Sequence, residues 1–150
     1  MIKVESVRDK CAPYWANAAP HEVKIFDYDF FVTIVKDNVR CELKFTLMKG
    51  FKCDGASIPW AFRWFLPSWD KHNYIYNVGS AIHDGLYIHK GFGLFTREEC
   101  DDILRGIWRE SGISRFKAGV ADKCVELFAG GKSHWGNDSY GVGRLFSLEW

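Results

Sequence analysis

Paired cysteines are missing from this chain. Its five cysteines, Cys11, Cys41, Cys53, Cys100 and Cys124, are odd in number, far apart and without a C-x-x-C spacing. That leaves no basis for a disulfide framework or a structural zinc knuckle and points to reduced thiols in a cytoplasm. Clustered positive charge is missing too: 20 Lys and Arg stand against 19 Asp and Glu, for a net charge of +1, with no dense basic run. A nucleic-acid footprint needs such a run, so no nucleic-acid partner is expected. No apolar stretch approaches the ~18 residues of a membrane span, and Met1-Ile2-Lys3-Val4-Glu5 is not the start of a signal peptide. A soluble protein, synthesised in a cytoplasm and without a transmembrane segment, is the expectation. Internal repeats, low-complexity tracts and linkers are absent as well. The 150 residues therefore read as a single domain, long enough to bury a core. No feature sets an oligomeric state.

What the chain has in excess is aromatic residues, 17% of the total, with seven Trp and twelve Phe. An aromatic-rich core explains them more simply than a dedicated binding surface.

The pattern divides the domain into four stretches. Residues 1–50 read mainly as strands. Val39, Cys41, Leu43, Phe45 and Leu47 alternate with Arg40, Glu42, Lys44 and Thr46, the period of a half-buried strand. Phe30 to Val35 is a β-branched and aromatic run, and Lys36-Asp37-Asn38 between the two is turn chemistry, so a hairpin is expected. His21 to Tyr28 offers a further strand. Residues 51–70 are irregular and rich in aromatics from Trp60 to Trp69. They suit a lid packed over the first helix better than a lipid-interface patch, to which Arg63 and Lys71 would add charge. Residues 71–130 read as helical. A first helix is predicted from about Lys71 to Ile88, with Ile75, Val78, Ile82 and Leu86 as its apolar stripe. A second starts at the capping box Thr96-Arg97-Glu98-Glu99 and stops near Gly112. A third is predicted over about Arg115 to Phe128. Residues 131–150 read as an irregular segment wrapped on the domain. The fold class is thus α+β, a small N-terminal antiparallel sheet followed by about three helices.

Candidate chemistry concentrates in Ala81-Ile82-His83-Asp84-Gly85-Leu86-Tyr87 and in Asp101. His83 and Tyr87 lie one helical turn apart, and Asp84 follows His83 at about 100° around the helix. One of the pair can face a buried partner while the other faces a cleft. Helical phase separates Asp101 from Asp102. With Cys100 at about 0°, Ile103, Leu104, Ile107 and Trp108 fall near 300°, 40°, 340° and 80°. Asp101, at about 100°, borders this buried face, and Asp102, at about 200°, faces solvent as a helix charge. A partly buried carboxylate needs a partner. His83 would serve, with Asp101 fixing its tautomer and Tyr87 hydrogen-bonding the same carboxylate. Asp54, opening Asp54-Gly55-Ala56-Ser57-Ile58-Pro59, reads either as an Asx-turn closing a strand or as a metal-binding loop in which Asp54 and Asp84 supply the charge. The bland reading of the whole set is a polar network that ties two helices together.

The three motifs Phe51-Lys52-Cys53-Asp54-Gly55-Ala56-Ser57-Ile58-Pro59, Ala81-Ile82-His83-Asp84-Gly85-Leu86-Tyr87 and Cys100-Asp101, spread over roughly 50–130, resemble a small family of unknown function common in tailed bacteriophages and prophages. Cys53 stands where that pattern has threonine, and Cys100 where it has alanine. The resemblance implies a phage origin and carries no activity. A second, local resemblance supplies chemistry. His83-Asp84-x-x-Tyr87 with Asp101 on the next helix is similar to the core of secreted and parvovirus-capsid phospholipases A2. It implies a histidine that activates water, a following aspartate that binds calcium, and a later aspartate that orients the histidine. The glycine-rich calcium loop of those enzymes has no recognisable counterpart, and Asp54-Gly55 is the candidate replacement.

Together these readings give a phage-encoded, metal-assisted hydrolase. His83, Asp101 and Tyr87 form its catalytic set, and Asp84 and Asp54 hold a divalent cation, calcium favoured over zinc. Its substrate would be phospholipid of the host membrane, met during entry from a virion or at lysis from the host cytoplasm; an amide bond stays open. The alternative is a non-catalytic virion accessory or host-interaction protein that contacts other phage structural proteins.

Overall fold

The computed structural model describes residues 1–55, 66–114, 117, 119–120, 123 and 135–150. Four strands, β1 (Ile2–Asp9), β3 (Tyr28–Lys36), β4 (Val39–Leu47) and β6 (Phe146–Glu149), form an antiparallel sheet in the order β1-β3-β4-β6. A second, two-residue ladder joins β2 (His21–Glu22) to β5 (Lys52–Cys53). Two helices, α1 (Tyr74–Ile88) and α2 (Arg97–Glu110), stand between β5 and β6 in the chain.

The hairpin β3–β4 forms where alternation and turn chemistry agree. Lys36 pairs with Val39 across Asp37 and Asn38, both at positive φ, the backbone that two-residue hairpin loops need and that Asp and Asn tolerate. One face of the hairpin, with Tyr28, Phe30, Val32 and Ile34 opposite Leu43, Phe45 and Leu47, is buried. Onto the core pack Val78, Ala81, Ile82 and Leu86 of α1 and Cys100, Ile103 and Ile107 of α2. The capping box at Thr96 forms as the sequence predicts, with Glu99 N–H donating to the Thr96 hydroxyl and the Glu99 carboxylate accepting from Thr96 N–H. The first helix starts later than expected, at Tyr74, because Asn73 caps it and accepts from Tyr76 N–H.

The expectation of an N-terminal sheet followed by about three helices is corrected. Among the described residues there are six strands in two sheets and two α-helices, and most of the third expected helix, 115–128, lies outside the described residues. Nor is the sheet confined to the N-terminal part. The final segment, read from sequence as irregular, contributes β6, which pairs Phe146 with Leu47 and Leu148 with Phe45. Four residues are too few for a period to stand out. What selects the strand is the free edge of β4 and the burial of Phe146 and Leu148.

This last strand fixes the height of α1. Phe146 sits among Phe45, Phe51 and Phe92, and a methyl group added at Gly85 would come within 2.4 Å of its ring. Only glycine lets α1 settle onto that ring, and the same contact sets where the neighbouring His83 and Asp84 emerge. The expected aromatic lid at Trp60–Trp69 falls largely outside the described residues. At its described end Trp69 stacks on His21 at 3.5 Å, and Leu66 is buried. Among the described residues no helix is long and apolar enough to cross a membrane.

Candidate functional site

The crossing of α1 and α2 brings His83, Tyr87 and Asp101 together. His83 Nε2 lies 2.7 Å from Asp101 Oδ1, and the Tyr87 hydroxyl donates to the same oxygen at 2.7 Å. The His83 and Tyr87 rings are 4.2 Å apart. His83 is only 5% exposed, so its ring is held by surrounding packing as well as by the hydrogen bond. Among the described residues Nε2 is the ring nitrogen with a partner, and Nδ1 has none. Burial and the bond to Asp101 push the Tyr87 hydroxyl far above its ordinary range, so it stays a donor. Packing also explains the fate of the two cysteines in the motifs. Cys53 and Cys100 are buried; burial raises both thiols, that of Cys100 to about 12, which makes them poor nucleophiles.

Asp102 departs from expectation. Rather than a solvated helix charge, it is half-buried and accepts from the Ile2 backbone N–H at 3.2 Å and from Arg105. Helical phase placed it correctly away from His83. What phase could not show is that the N-terminal end of β1 lies against that side of α2.

His83, Asp84 and Tyr87 line a cleft of about 190 Å³ whose opposite walls carry Asp54 and the loop from Asn137 to Tyr140. Burial, reinforced by the negative charge of Asp54, raises the Asp84 carboxyl to about 8. The Tyr140 hydroxyl donates to Asp54, and that bond raises the phenol to about 12. When Asp84 ionises, it and Asp54 carry the charge a divalent cation would take up, and a bound cation would itself favour that ionisation. No group of three or more His, Cys, Asp and Glu side chains joins there among the described residues.

The loop wall is the part that sequence reading missed. The Asp138 carboxylate accepts from the backbone N–H groups of Val142 and Gly143, both at 2.8 Å, and so shapes the loop. Gly136 N–H donates to the Tyr87 carbonyl at 2.8 Å, and Trp135 packs edge-on against the Tyr87 ring at 5.0 Å. The available signal was the cluster Asn137-Asp138-Ser139-Tyr140-Gly141, a turn in which an aspartate caps following amides.

No curated protein and no solved structure matches the chain. A family does match, over residues 33–125. The match starts within β3 and takes in Asp54, α1 and α2 while leaving out the loop wall and β6. On that match, which covers more than half of its length, the chain belongs to DUF1353, a family of proteins of unknown function.

Proposed function

We propose that this protein is a metal-assisted hydrolase of phospholipid ester bonds, encoded by a bacteriophage and directed at the host membrane. The observation that supports this reading most is the single Asp101 oxygen that accepts from both His83 Nε2 and Tyr87. With Nε2–H as donor, the imidazole is held in the tautomer whose Nδ1 is an unprotonated base. A water between Nδ1 and the scissile carbonyl gives its proton to Nδ1 as its oxygen attacks the carbonyl carbon. Asp101 remains ionised and stabilises the imidazolium, which then returns the proton to the departing alkoxide. Tyr87 holds the Asp101 carboxylate in place. Asp84 and Asp54 would hold the cation, calcium in preference, which when bound supplies positive charge to the carbonyl oxygen and its oxyanion. Synthesis in the host cytoplasm allows action at lysis, and packaging in the virion would allow action at entry.

One observation favours a second reading. Trp135 and Gly136 cover the end of the network at Tyr87, as they would if it served only to tie α1 to α2 in a virion accessory or host-interaction protein. Hydrolysis separates the two. Purified protein is incubated with phospholipid vesicles, then with peptide and cell-wall substrates, each with calcium and with a chelator. Fatty acid release is expected with calcium. His83→Gln should stay folded, since its amide can still bond Asp101, and should lose roughly a hundredfold or more of the rate. If folded wild-type protein releases no product from any substrate, the non-catalytic reading stands.

A further inference from the structure

Among the described residues, two apolar, non-glycine residues sit at positive φ, and they differ in what holds them there. Phe92, at φ 57°, is half-buried, stacked on His89 at 4.4 Å and packed against Phe146, so aromatic contact offsets its strain. Ile25, at φ 72°, is 59% exposed. Phe26 N–H donates to the Lys24 carbonyl at 2.8 Å across it, which makes Ile25 the central residue of the rare, strained form of γ-turn. A β-branched side chain is among the least suited to that backbone. The neighbours of the turn are apolar and exposed as well: Phe26 is 42% and Tyr14 60% exposed, and Tyr14 is tied to the turn by the bond from Lys24 N–H to its carbonyl at 2.6 Å.

Lysines stand near the base of this tip. Lys24, Lys52 and Lys49 all act on Glu22, and the charge of all three, after the direct bond from Lys24, holds its carboxyl below the ordinary range. Lys24 and Lys52 are ion-paired with Glu22, Lys52 also lines the cleft, and Asp27 accepts from the backbone N–H of Lys49, so three lysines share this region with two carboxylates and leave an excess of positive charge. The ribbon that carries the tip also carries the cleft. Glu22 is paired with Lys52, with Ile25 beyond one end of the ladder and Asp54 beyond the other, roughly 15 Å away at strand spacing.

We infer that Tyr14, Ile25 and Phe26, with Lys24 and Lys49 beside them, form a docking surface for an anionic lipid bilayer, the apolar tip entering the interface while the ammonium groups meet the headgroups. The choice of a bilayer over a protein surface rests on the hydrolase reading. Apolar side chains that enter a bilayer interface beside lysines bind through burial and charge together. A strained turn that holds isoleucine outward makes sense if its burial occurs on binding.

The test is co-sedimentation of the full chain with vesicles of phosphatidylglycerol and, separately, of phosphatidylcholine, in chelator so that binding is read without hydrolysis. Wild-type protein should bind phosphatidylglycerol vesicles more tightly, and added salt should weaken that binding. Ile25→Gly is the sharpest variant. Glycine relaxes the turn, so the variant should melt no lower than wild type and yet bind vesicles several-fold more weakly. Phe26→Asp should weaken binding by about tenfold or more. His83→Gln should bind as wild type does, which separates this surface from the site: wild type that binds in chelator and still releases no fatty acid when calcium is restored sinks the site reading alone. Wild-type protein that ignores phosphatidylglycerol vesicles, or an Ile25→Gly variant that binds them undiminished, overturns the proposal. Concentration-dependent self-association through the tip, abolished by Phe26→Asp, would overturn it in favour of a protein contact.

Discussion

At one side of the cleft, His83 and Tyr87 both donate to one oxygen of Asp101, and both rings are largely buried while still lining the cleft. Elsewhere in the same cleft, burial and the charge of Asp54 raise the Asp84 carboxyl of α1, and Tyr140 of the loop donates to Asp54. The first arrangement is already satisfied in the folded chain, whereas in the second burial and the charge of Asp54 oppose the ionisation of Asp84. A region of the first kind holds geometry, and a region of the second kind waits for something to bind. The same division separates Phe92, whose strain is offset by stacking, from Ile25, whose strain is not.

The largest effect should come from breaking the satisfied side. Asp101→Asn is expected to lower vesicle hydrolysis by roughly a hundredfold or more, because an amide can hold the imidazole in the wrong tautomer. Asp102→Asn, one residue on, should leave the rate unchanged; equal losses from both would show that the bond from Asp101 to His83 has no special part. Next comes the seat of the helix. Gly85→Ala drives a methyl group into the Phe146 ring and should destabilise the fold by about 1–3 kcal/mol, read by denaturant titration.

The unsatisfied side should respond to pH and to cations. Folded Asp84 titrates near 8, against 3.8 for an ordinary aspartate. Between those values the folded chain holds a proton that the unfolded chain has released. In chelator, stability should therefore fall as pH rises from about 4 to about 8 and level off above. Asp84→Asn should flatten that fall and melt higher than wild type at the alkaline end. Calcium should raise the wild-type Tm at neutral and alkaline pH, since a ligand of the native state alone stabilises it, and Asp84→Asn should remove most of the rise. A wild-type Tm that is indifferent to calcium, magnesium, manganese and zinc at millimolar levels would remove the cation from the mechanism. The smallest effect should be that of Asp102→Asn on stability, a modest loss at the contact between α2 and Ile2, seen as a slight drop in Tm.

Local rules carried a good part of this protein. Alternation and turn chemistry specified the β3–β4 hairpin, the capping box specified the start of α2, and helical phase separated Asp101 from Asp102, because each of these is decided within a few residues of the chain. A free-energy preference that local does not depend on what packs nearby. Tertiary structure decided the rest. The strand at 146–149 exists because β4 offers a free edge and the core takes up Phe146 and Leu148. Asp102 is occupied because β1 ends beside it. The cleft has a second wall because Asp138 folds the loop back against the end of α1, more than fifty residues from Asp84 in the chain. Those contacts join residues far apart in sequence, and no pattern within either segment encodes the partner. The sequence alone therefore determined which groups could act, and only the packing of distant segments decided which of them share a cleft.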